Sequence, residues 1–283
     1  MTEQERLIGK HPEASHILGE WLAHIDQPTT KSKKHRKLEE NEDFRQKAIN
    51  SIANWIIEYH TTQQRREALK RKAKILQKYE FDEYVESQRL LPTVDKTRKG
   101  NVAEIILIEY LKESSGFSPI VHKLSYNTNV EQSMKGDDVL LLNPDNVLEK
   151  IIYGESKYRS EPNKQAIEKI VSNLEGSKRL PVSIGFVADR LYEAENYALA
   201  DELMDLQNML KNNKVNVHNV GFLLSSKSTT PSKDTHTQVE NHLTTKNPNL
   251  IFISLGLNNP IEIVNESFKL ANEQLLNIKN ETT

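Results

Sequence analysis

The sequence predicts an α/β protein in which helices cover a mixed central sheet. The first observation is the order of elements in the middle of the chain, where a helix precedes three short apolar runs, a second helix and a further apolar run. The second is that a strand–helix–strand step in this order produces a parallel pair with a right-handed crossover. Because the two runs before that step are close enough along the chain to form a hairpin, the sheet is predicted to be mixed.

The composition predicts one large core, or a core with an appendage, in a chain of 283 residues with 36% hydrophobic and 28% charged residues. A net charge of −2 gives no global attraction to nucleic acid, so such binding needs a local basic patch. The sequence has no cysteine, which excludes disulfides and thiolate metal sites and favours a cytoplasmic setting. Neither a signal peptide nor a membrane span is expected, since no apolar run approaches the roughly 20 residues that a bilayer requires.

The first third of the chain is predicted to be helical and locally basic. Its elements are a short helical pattern in 1–26, a polar loop over 27–43, a helix over 44–57 and a helix rich in lysine and arginine over 63–88. We therefore predict a helical N-terminal region, residues 1–90, and a second domain with a C-terminal extension, residues 91–283.

The rest of the chain alternates between short apolar runs and helical spacing. Before residue 190 we predict a helix over 101–112, strands over 117–126, 138–142 and 150–156, a helix over 163–179 and a strand over 181–188. After it we predict a helix over 193–210, a strand over 215–224, a mobile loop over 225–247, a strand over 250–255 and a closing helix over 261–278.

Charged residues stand at the ends of the predicted hairpin. Asp138 begins one apolar strand, and Glu155 and Lys157 end the next. If the strands pair, Asp138 and Glu155 lie at the same end of the sheet, and Glu155 and Lys157 share a face because side chains alternate along a strand. A divalent cation with oxygen ligands compensates such carboxylates. The pattern predicts a metal-dependent phosphodiesterase site, in which Lys157 positions or deprotonates a water and neutralises charge on the phosphate.

Glu104 is the fourth residue of this predicted site. It lies in the first turn of its helix, where the helix dipole favours a carboxylate, and it would supply a further metal ligand or hold a water ligand. The predicted catalytic residues are Glu104, Asp138, Glu155 and Lys157, with the three carboxylates as ligands of Mg²⁺ or, alternatively, Mn²⁺. Asp137 is the alternative to Asp138, which is favoured because it adjoins the strand.

Each feature has an ordinary structural explanation when taken singly. Glu155 and Lys157 alone fit a solvated pair at a strand edge. Gly136-Asp137-Asp138 alone fits a turn that enters a strand, and Glu104 alone fits a favourable charge at the start of a helix. Their occurrence in one order, within otherwise apolar runs, favours the active-site interpretation.

At these residues the sequence resembles the PD-(D/E)xK nuclease superfamily, in which an acidic residue precedes one strand and Glu-x-Lys ends the next. Asp138 and Glu155-Ser156-Lys157 match this motif, and Glu104 matches the helix glutamate. Three segments resemble, more specifically, the HamA family, the nuclease subunits of Hachiman anti-phage defence. These segments are 99–104, 135–138 and 153–158, within a resemblance that spans about residues 44–210.

The resemblance implies a restriction-endonuclease-like core and a DNA-cleaving effector. It also implies a partner, the superfamily 2 helicase HamB, that restrains the nuclease until infection or damaged DNA is sensed. Two alternatives stay open: a non-catalytic DNA-binding or scaffolding subunit on a nuclease-like fold, and a nuclease that acts on RNA.

Contacts with the phosphate backbone are predicted near the site. Such contacts come mostly from lysine, arginine and amide side chains and carry no sequence information. The candidates are Lys135, Arg159, Lys164, Gln165, Lys178 and Arg179. The basic helix 63–78 would track a backbone or dock a partner, although a charge run is more often a solvated helix face.

Overall fold

The predicted α/β class is confirmed by a computed structural model, which describes residues 1–77, 90–127, 129–132, 136–143, 145–175, 182–212 and 214–280. The strands of the described chain are β1 Leu22–Asp26, β2 His35–Glu40, β3 Val139–Leu142, β4 Lys150–Arg159, β5 Asn216–Ser226 and β6 Leu250–Leu257. The α-helices of these ranges are α1 Glu3–Ile8, α2 Ile17–Trp21, α3 Arg45–His60, α4 Gln63–Gln77, α5 Asp95–Ser115, α6 Lys164–Glu175, α7 Val182–Glu193, α8 Tyr197–Lys211, α9 Thr235–His242 and α10 Pro260–Asn280.

The strands form one mixed sheet, with the order β1-β2-β6-β5-β4-β3 in the described part of the chain. The pairs β2–β6, β6–β5 and β5–β4 are parallel, whereas β1 and β3 run antiparallel to their neighbours at the two edges. Parallel strands need crossover connections, and these are supplied by the helices that lie between β4, β5 and β6 along the chain. The predicted mixed sheet is therefore confirmed.

Helices bury both faces of the sheet. On one face, α3, α5 and α10 place Ile52, Leu107 and Phe268 in one apolar cluster with Phe222 and Ile253 of the central strands. On the other face, α6 and α9 pack against the inner strands, and α7 and α8 pack against the β3–β4 edge. Burial of side chains from both faces is typical of strands that lie at the centre of an α/β sheet.

The β3–β4 hairpin and α6 are confirmed. Val139 pairs with Gly154 and Leu142 with Ile151 in antiparallel register. The inward residues predicted for α6, Ala166, Ile167, Ile170, Val171 and Leu174, are all buried. The strands predicted over 215–224 and 250–255 and the closing helix are likewise present as β5, β6 and α10.

Two predicted strands were wrong. Residues 117–126 contain a single bridge from Ser118 to Leu142 and then a 3-10 turn, Lys123–Tyr126, because Pro119 has no N–H with which to continue a ladder. Of the run predicted as a strand over 181–188, residues 182–188 belong to α7, and residue 181 lies outside the described residues. Its buried residues recur at helical spacing, at Ile184, Val187, Ala188 and Leu191, and the parallel partner of β4 is β5 instead.

Two predicted loops were also wrong. Residues 27–43 contain β2, whose only aliphatic residue is Leu38, so hydropathy alone gave no strand pattern. Residues 225–247 contain α9, which begins where the Asp234 side chain accepts a hydrogen bond from the Thr237 N–H. In residues 1–26 the helical pattern ends at Trp21 and β1 follows.

The N-terminal region contributes to the same sheet as the rest of the chain. β2 pairs with β6, and α3 shares the apolar cluster of α5 and α10. The division at residue 90 stays a prediction about domains. The basic helix is observed as α4 up to Gln77, and the remainder of its predicted span lies outside the described residues. Within the described ranges, no helix has both the length and the apolar character that crossing a bilayer demands.

Candidate functional site

The β3–β4 hairpin brings Asp138 next to the Glu-x-Lys segment. The register Val139–Gly154, continued by one residue, places Asp138 opposite Glu155. Asp138 Oδ2 accepts hydrogen bonds from the Ser156 N–H at 2.9 Å and the Ser156 hydroxyl at 3.4 Å. These bonds fix the Asp138 carboxylate against Ser156, in the second half of β4.

Glu155 is held by two donors at a single oxygen. Lys157 Nζ and Asn173 Nδ2 each donate to Glu155 Oε1 at 2.7 Å. The Glu155 and Lys157 side chains are 12% and 19% exposed, so the pair is more buried than the solvated edge pair that was the ordinary alternative. Asn173 lies on α6, and this helix therefore orients the Glu155 carboxylate in the middle of β4.

Glu104 reaches the same region from α5. Because this helix begins at Asp95, Glu104 lies in its third turn, and the predicted position in the first turn was wrong. The helix approaches the hairpin closely at Gly154, where a Cβ atom would lie 2.8 Å from Val139 Cβ and 3.0 Å from Leu107 Cδ2. Glu104 is only 8% exposed, and Lys123 Nζ lies 3.7 Å from its Oε1. A side chain at position 154 would therefore push away the helix that places Glu104.

Burial and neighbouring negative charges raise the pKa of two of the carboxylates, Glu104 and Asp138. Burial raises the pKa of Glu104 to about 7, and the negative charges of Asp138 and Glu155 add to this effect while Lys123 opposes it. Burial also raises the pKa of Asp138, as does the charge of Glu155, against the Ser156 N–H and the two lysines. The site holds more negative charge than its own cations neutralise.

These side chains line one open cleft of about 1050 Å³. Its floor includes Glu104, Asp138, Glu155 and Lys157, which confirms that the hairpin and α5 face a common space. Charged side chains of both signs lie around them in the same lining: the cations Lys96, Lys99 and Arg159 and the carboxylates Asp95 and Glu131. Lys99 also lies over the Tyr158 ring, 5.7 Å from its centroid.

Asp137 points to a different place from Asp138. Its backbone N–H donates to Ser183 Oγ, and this hydroxyl donates to Asp137 Oδ2, each at 2.9 Å. The preceding Gly136 has φ +117°, and a Cβ there would lie 2.9 Å from Ser183 Oγ. Asp137, Glu104 and Asp138 all line an adjoining cavity of about 40 Å³, but of the two aspartates it is Asp138 that also lines the cleft, so the geometry favours Asp138 as the cleft residue.

The predicted phosphate-contact residues have different positions. Arg159 lines the cleft. Lys164 and Gln165 lie at the exposed start of α6, where Lys164 is 3.6 Å from Glu168. Lys135, Lys178 and Arg179 lie outside the described residues.

The sequence interpretation missed several side chains of the site. Lys123 was assigned to a strand that does not form, and Asn173 was treated only as part of a helix. Lys96 and Lys99 had a visible signal, since they occupy the first turns of the helix that carries Glu104. Lys123 and Asn173 had none, because each meets the site only through the fold.

In the described residues, no three acidic or histidine side chains are already grouped as a cation would require. Of the predicted ligands, Asp138 and Glu155 lie opposite each other when the β3–β4 register is continued by one residue. From the described residues their hydrogen bonds go to Asp138 Oδ2 and Glu155 Oε1, so each carboxylate keeps a second oxygen for another partner.

Fold and site together define an α/β protein whose mixed sheet ends in a cleft of buried carboxylates and lysines. The family model described as HamA matches residues 15–271. The chain is also 42% identical over 282 residues to "Hachiman protein HamA" of Bacillus cereus, with 100% of both chains covered. This chain belongs to the HamA family, and it is a bacterial anti-phage defence subunit.

Proposed function

We propose that this chain is a metal-dependent DNA endonuclease with a PD-(D/E)xK core, and that it is the effector of its Hachiman system. The observation that carries the proposal is the convergence of Glu104, Asp138, Glu155 and Lys157 on one cleft. The raised pKa of Glu104 and of Asp138 supports it, because uncompensated carboxylates are what a cation site requires.

The donor set fits Mg²⁺, with Mn²⁺ as the alternative. Hard cations take carboxylate oxygens, and Asp138 and Glu155, with Glu104 behind them, would hold the ion. When bound, the ion polarises the phosphate and lowers the pKa of a water. The excess negative charge among these residues favours this assignment.

The protein side chains orient the reacting groups. Asn173 and Lys157 hold Glu155 through Oε1, and Ser156 holds Asp138 through Oδ2, so both carboxylates are positioned before substrate arrives. The Lys157 ammonium would donate to a phosphate oxygen and neutralise the charge that develops there. Phosphodiester hydrolysis breaks the P–O bond as a water oxygen attacks phosphorus, and the water proton leaves to solvent or to a basic group nearby.

DNA would reach this floor along the basic lining of the cleft. Lys96, Lys99 and Arg159 present cations beside the carboxylates, in positions suited to phosphates of the same backbone. Membership of the HamA family supports a superfamily 2 helicase, HamB, as the partner that restrains cleavage until infection or damaged DNA is sensed.

A non-catalytic DNA-binding or scaffolding subunit is the second candidate. The contacts that favour it are those of Glu155, whose Oε1 is already engaged by Lys157 and Asn173. In such a subunit, the two donors would stabilise the carboxylate in place of a metal.

The deciding experiment measures plasmid cleavage by the chain alone and with HamB, in Mg²⁺, in Mn²⁺ and in EDTA. We expect D138N, E155Q and K157M each to lose more than about 10²-fold in rate, because each removes a group that acts on the cation or the phosphate. The exposed pair Lys269–Glu266 on α10 supplies the matched controls K269M and E266Q. Equal cleavage or phage protection by wild type and the three site variants would reject catalysis, and a parallel RNA substrate separates the two nucleic acids.

A further inference from the structure

Lys123 joins the two segments that carry the acidic residues of the cleft. Its Nζ donates to the backbone carbonyl of Asp137 at 2.9 Å and lies 3.7 Å from Glu104 Oε1. The Lys123 side chain is 17% exposed and that of Glu104 is 11% exposed. A largely buried ammonium therefore links α5 to the turn that precedes β3.

This contact has an electrostatic reason. A buried ammonium is costly unless other groups compensate it, and a buried carboxylate is equally costly. The charge of Lys123 lowers the pKa of both Glu104 and Asp138, against the burial that raises each of them. Lys157 is bonded to Glu155 at 2.7 Å, so Glu104 and Glu155 each have their own lysine, while both lysines act on Asp138.

We propose that Lys123 is the resident counter-cation of Glu104 and of the Asp137–Asp138 turn, and that it sets how tightly the cleft takes a divalent cation. The second half of this inference rests on the proposed function. Lys123 is a positioning residue, since it acts through Glu104 and the turn. A divalent cation that binds the same carboxylates competes with the ammonium, because two neighbouring cations repel each other.

The variants separate the charge of Lys123 from its hydrogen bond. K123Q keeps an N–H donor for the Asp137 carbonyl but removes the charge, and K123R keeps the charge. Lys112 offers the matched control K112Q, because its Nζ lies 2.8 Å from Glu109, a carboxylate only 4% exposed on the same helix.

The first measurement is a calorimetric titration of the full chain with Mg²⁺. We expect K123Q to bind Mg²⁺ about tenfold more tightly than wild type, with K123R and K112Q within about twofold. The second measurement is thermal melting in EDTA. K123Q is expected to melt below wild type, and the difference is expected to shrink in the E104Q background, because the charge that Lys123 compensates is then gone.

The two measurements keep the two proposals apart. If wild type binds Mg²⁺ and K123Q binds it no more tightly, the role in setting affinity is rejected. If the changes of melting temperature caused by K123Q and by E104Q simply add in the double variant, the counter-cation role itself is overturned. A wild type that neither binds Mg²⁺ nor cleaves DNA would reject the proposed function, and the melting cycle in EDTA would still decide whether Lys123 serves Glu104.

Discussion

The cleft and a buried histidine network on the same sheet use similar residues in opposite ways. The histidine network consists of His35, His236, Glu240 and Ser254. His35 Nδ1 donates to Glu240 Oε1 at 2.5 Å, and Ser254 Oγ lies 2.6 Å from His35 Nε2 and 2.7 Å from His236 Nδ1. Both rings are neutral at pH 7 because burial lowers their pKa, so Ser254 donates to His35 and accepts from His236.

The chain of bonds from Ser254 through His35 to Glu240 has the order of a serine–histidine–acid triad. Burial decides against that role, because Ser254 and His35 have no exposed surface. Glu240 is also paired with Lys33 at 3.2 Å, and the pKa of Glu240 falls to about 2 because His35 and Lys33 stabilise its charge. Every member of the network has its partner inside the protein.

Charge balance and access to solvent distinguish these two regions better than residue type does. The polar groups of the histidine network pair with one another, with Glu240 33% exposed at its edge, and the network ties α9 to β2 and β6. In the cleft, the carboxylates of Glu104, Asp138 and Glu155 outnumber the two lysines that compensate them, Lys123 and Lys157, the pKa of Glu104 is raised to about 7, and the side chains face an open space. Surplus charge at an open surface is typical of functional sites.

Substitutions in the two regions are expected to have different effects: on the cleavage rate in the cleft and on the unfolding free energy in the histidine network. We expect D138N to lose more than about 10²-fold in cleavage rate with unchanged or higher stability, because it removes a repelled charge. H35A is expected to lose about 2–4 kcal/mol of unfolding free energy with normal cleavage, because it removes the acceptor of the Ser254 hydroxyl and one of the two partners of Glu240. Urea unfolding and plasmid cleavage on both variants test this, and loss of cleavage in a folded H35A protein would contradict it.

The two regions are expected to change the unfolding free energy with pH in opposite directions. The pKa of Glu104 is raised to about 7, so its contribution to unfolding free energy falls as pH rises from about 4.5 to about 7. The pKa of His236 is lowered to about 4, so its contribution falls as pH drops from about 6.5 to about 4. Each effect amounts to about 1–3 kcal/mol.

Urea unfolding in EDTA across pH 4–8 separates these contributions. E104Q is expected to be stabilised relative to wild type above pH 7, and H236N, which keeps a donor for Ser254, is expected to lose the acid-side decline. If the unfolding free energies of wild type and E104Q depend on pH in the same way, the raised pKa of Glu104 is contradicted.

The smallest expected effect concerns DNA affinity. Removing Lys99 or Arg159 from the cleft lining should weaken binding by about threefold to tenfold and reduce the salt dependence by about one counterion, because each cation contacts one phosphate. Fluorescence anisotropy with duplex DNA at several salt concentrations measures both quantities, with K269M on the exposed face of α10 as the control. Equal losses of DNA affinity in K99M and K269M would indicate that DNA does not bind specifically along the cleft lining.

The hairpin was predictable because its information is local. Asp138, Glu155 and Lys157 stand at the ends of two apolar runs separated by a turn, and period-two alternation fixed which residues share a face. Glu104 was predictable as a helix residue, but its burial depends on the close contact at Gly154.

The β2 strand shows where local patterns fail. Its buried residues include Arg36, which is held by Asp26 at 2.6 Å, and His35, which is held by Glu240 more than 200 residues later. A strand whose polar residues are buried through distant ion pairs has no apolar alternation for the sequence to reveal. The prediction of a loop over 27–43 failed for this reason.

The sequence by itself determined the α/β class, the hairpin and the three motif residues that the hairpin carries, because apolar periodicity and turn residues act over a few neighbours. Only the tertiary structure decided that Asn173 holds Glu155, that Lys123 compensates Glu104, and that Asp138 rather than Asp137 faces the cleft. These choices depend on hydrogen bonds and charge pairs between segments far apart along the chain, and such interactions exist only once the helices have packed on the sheet.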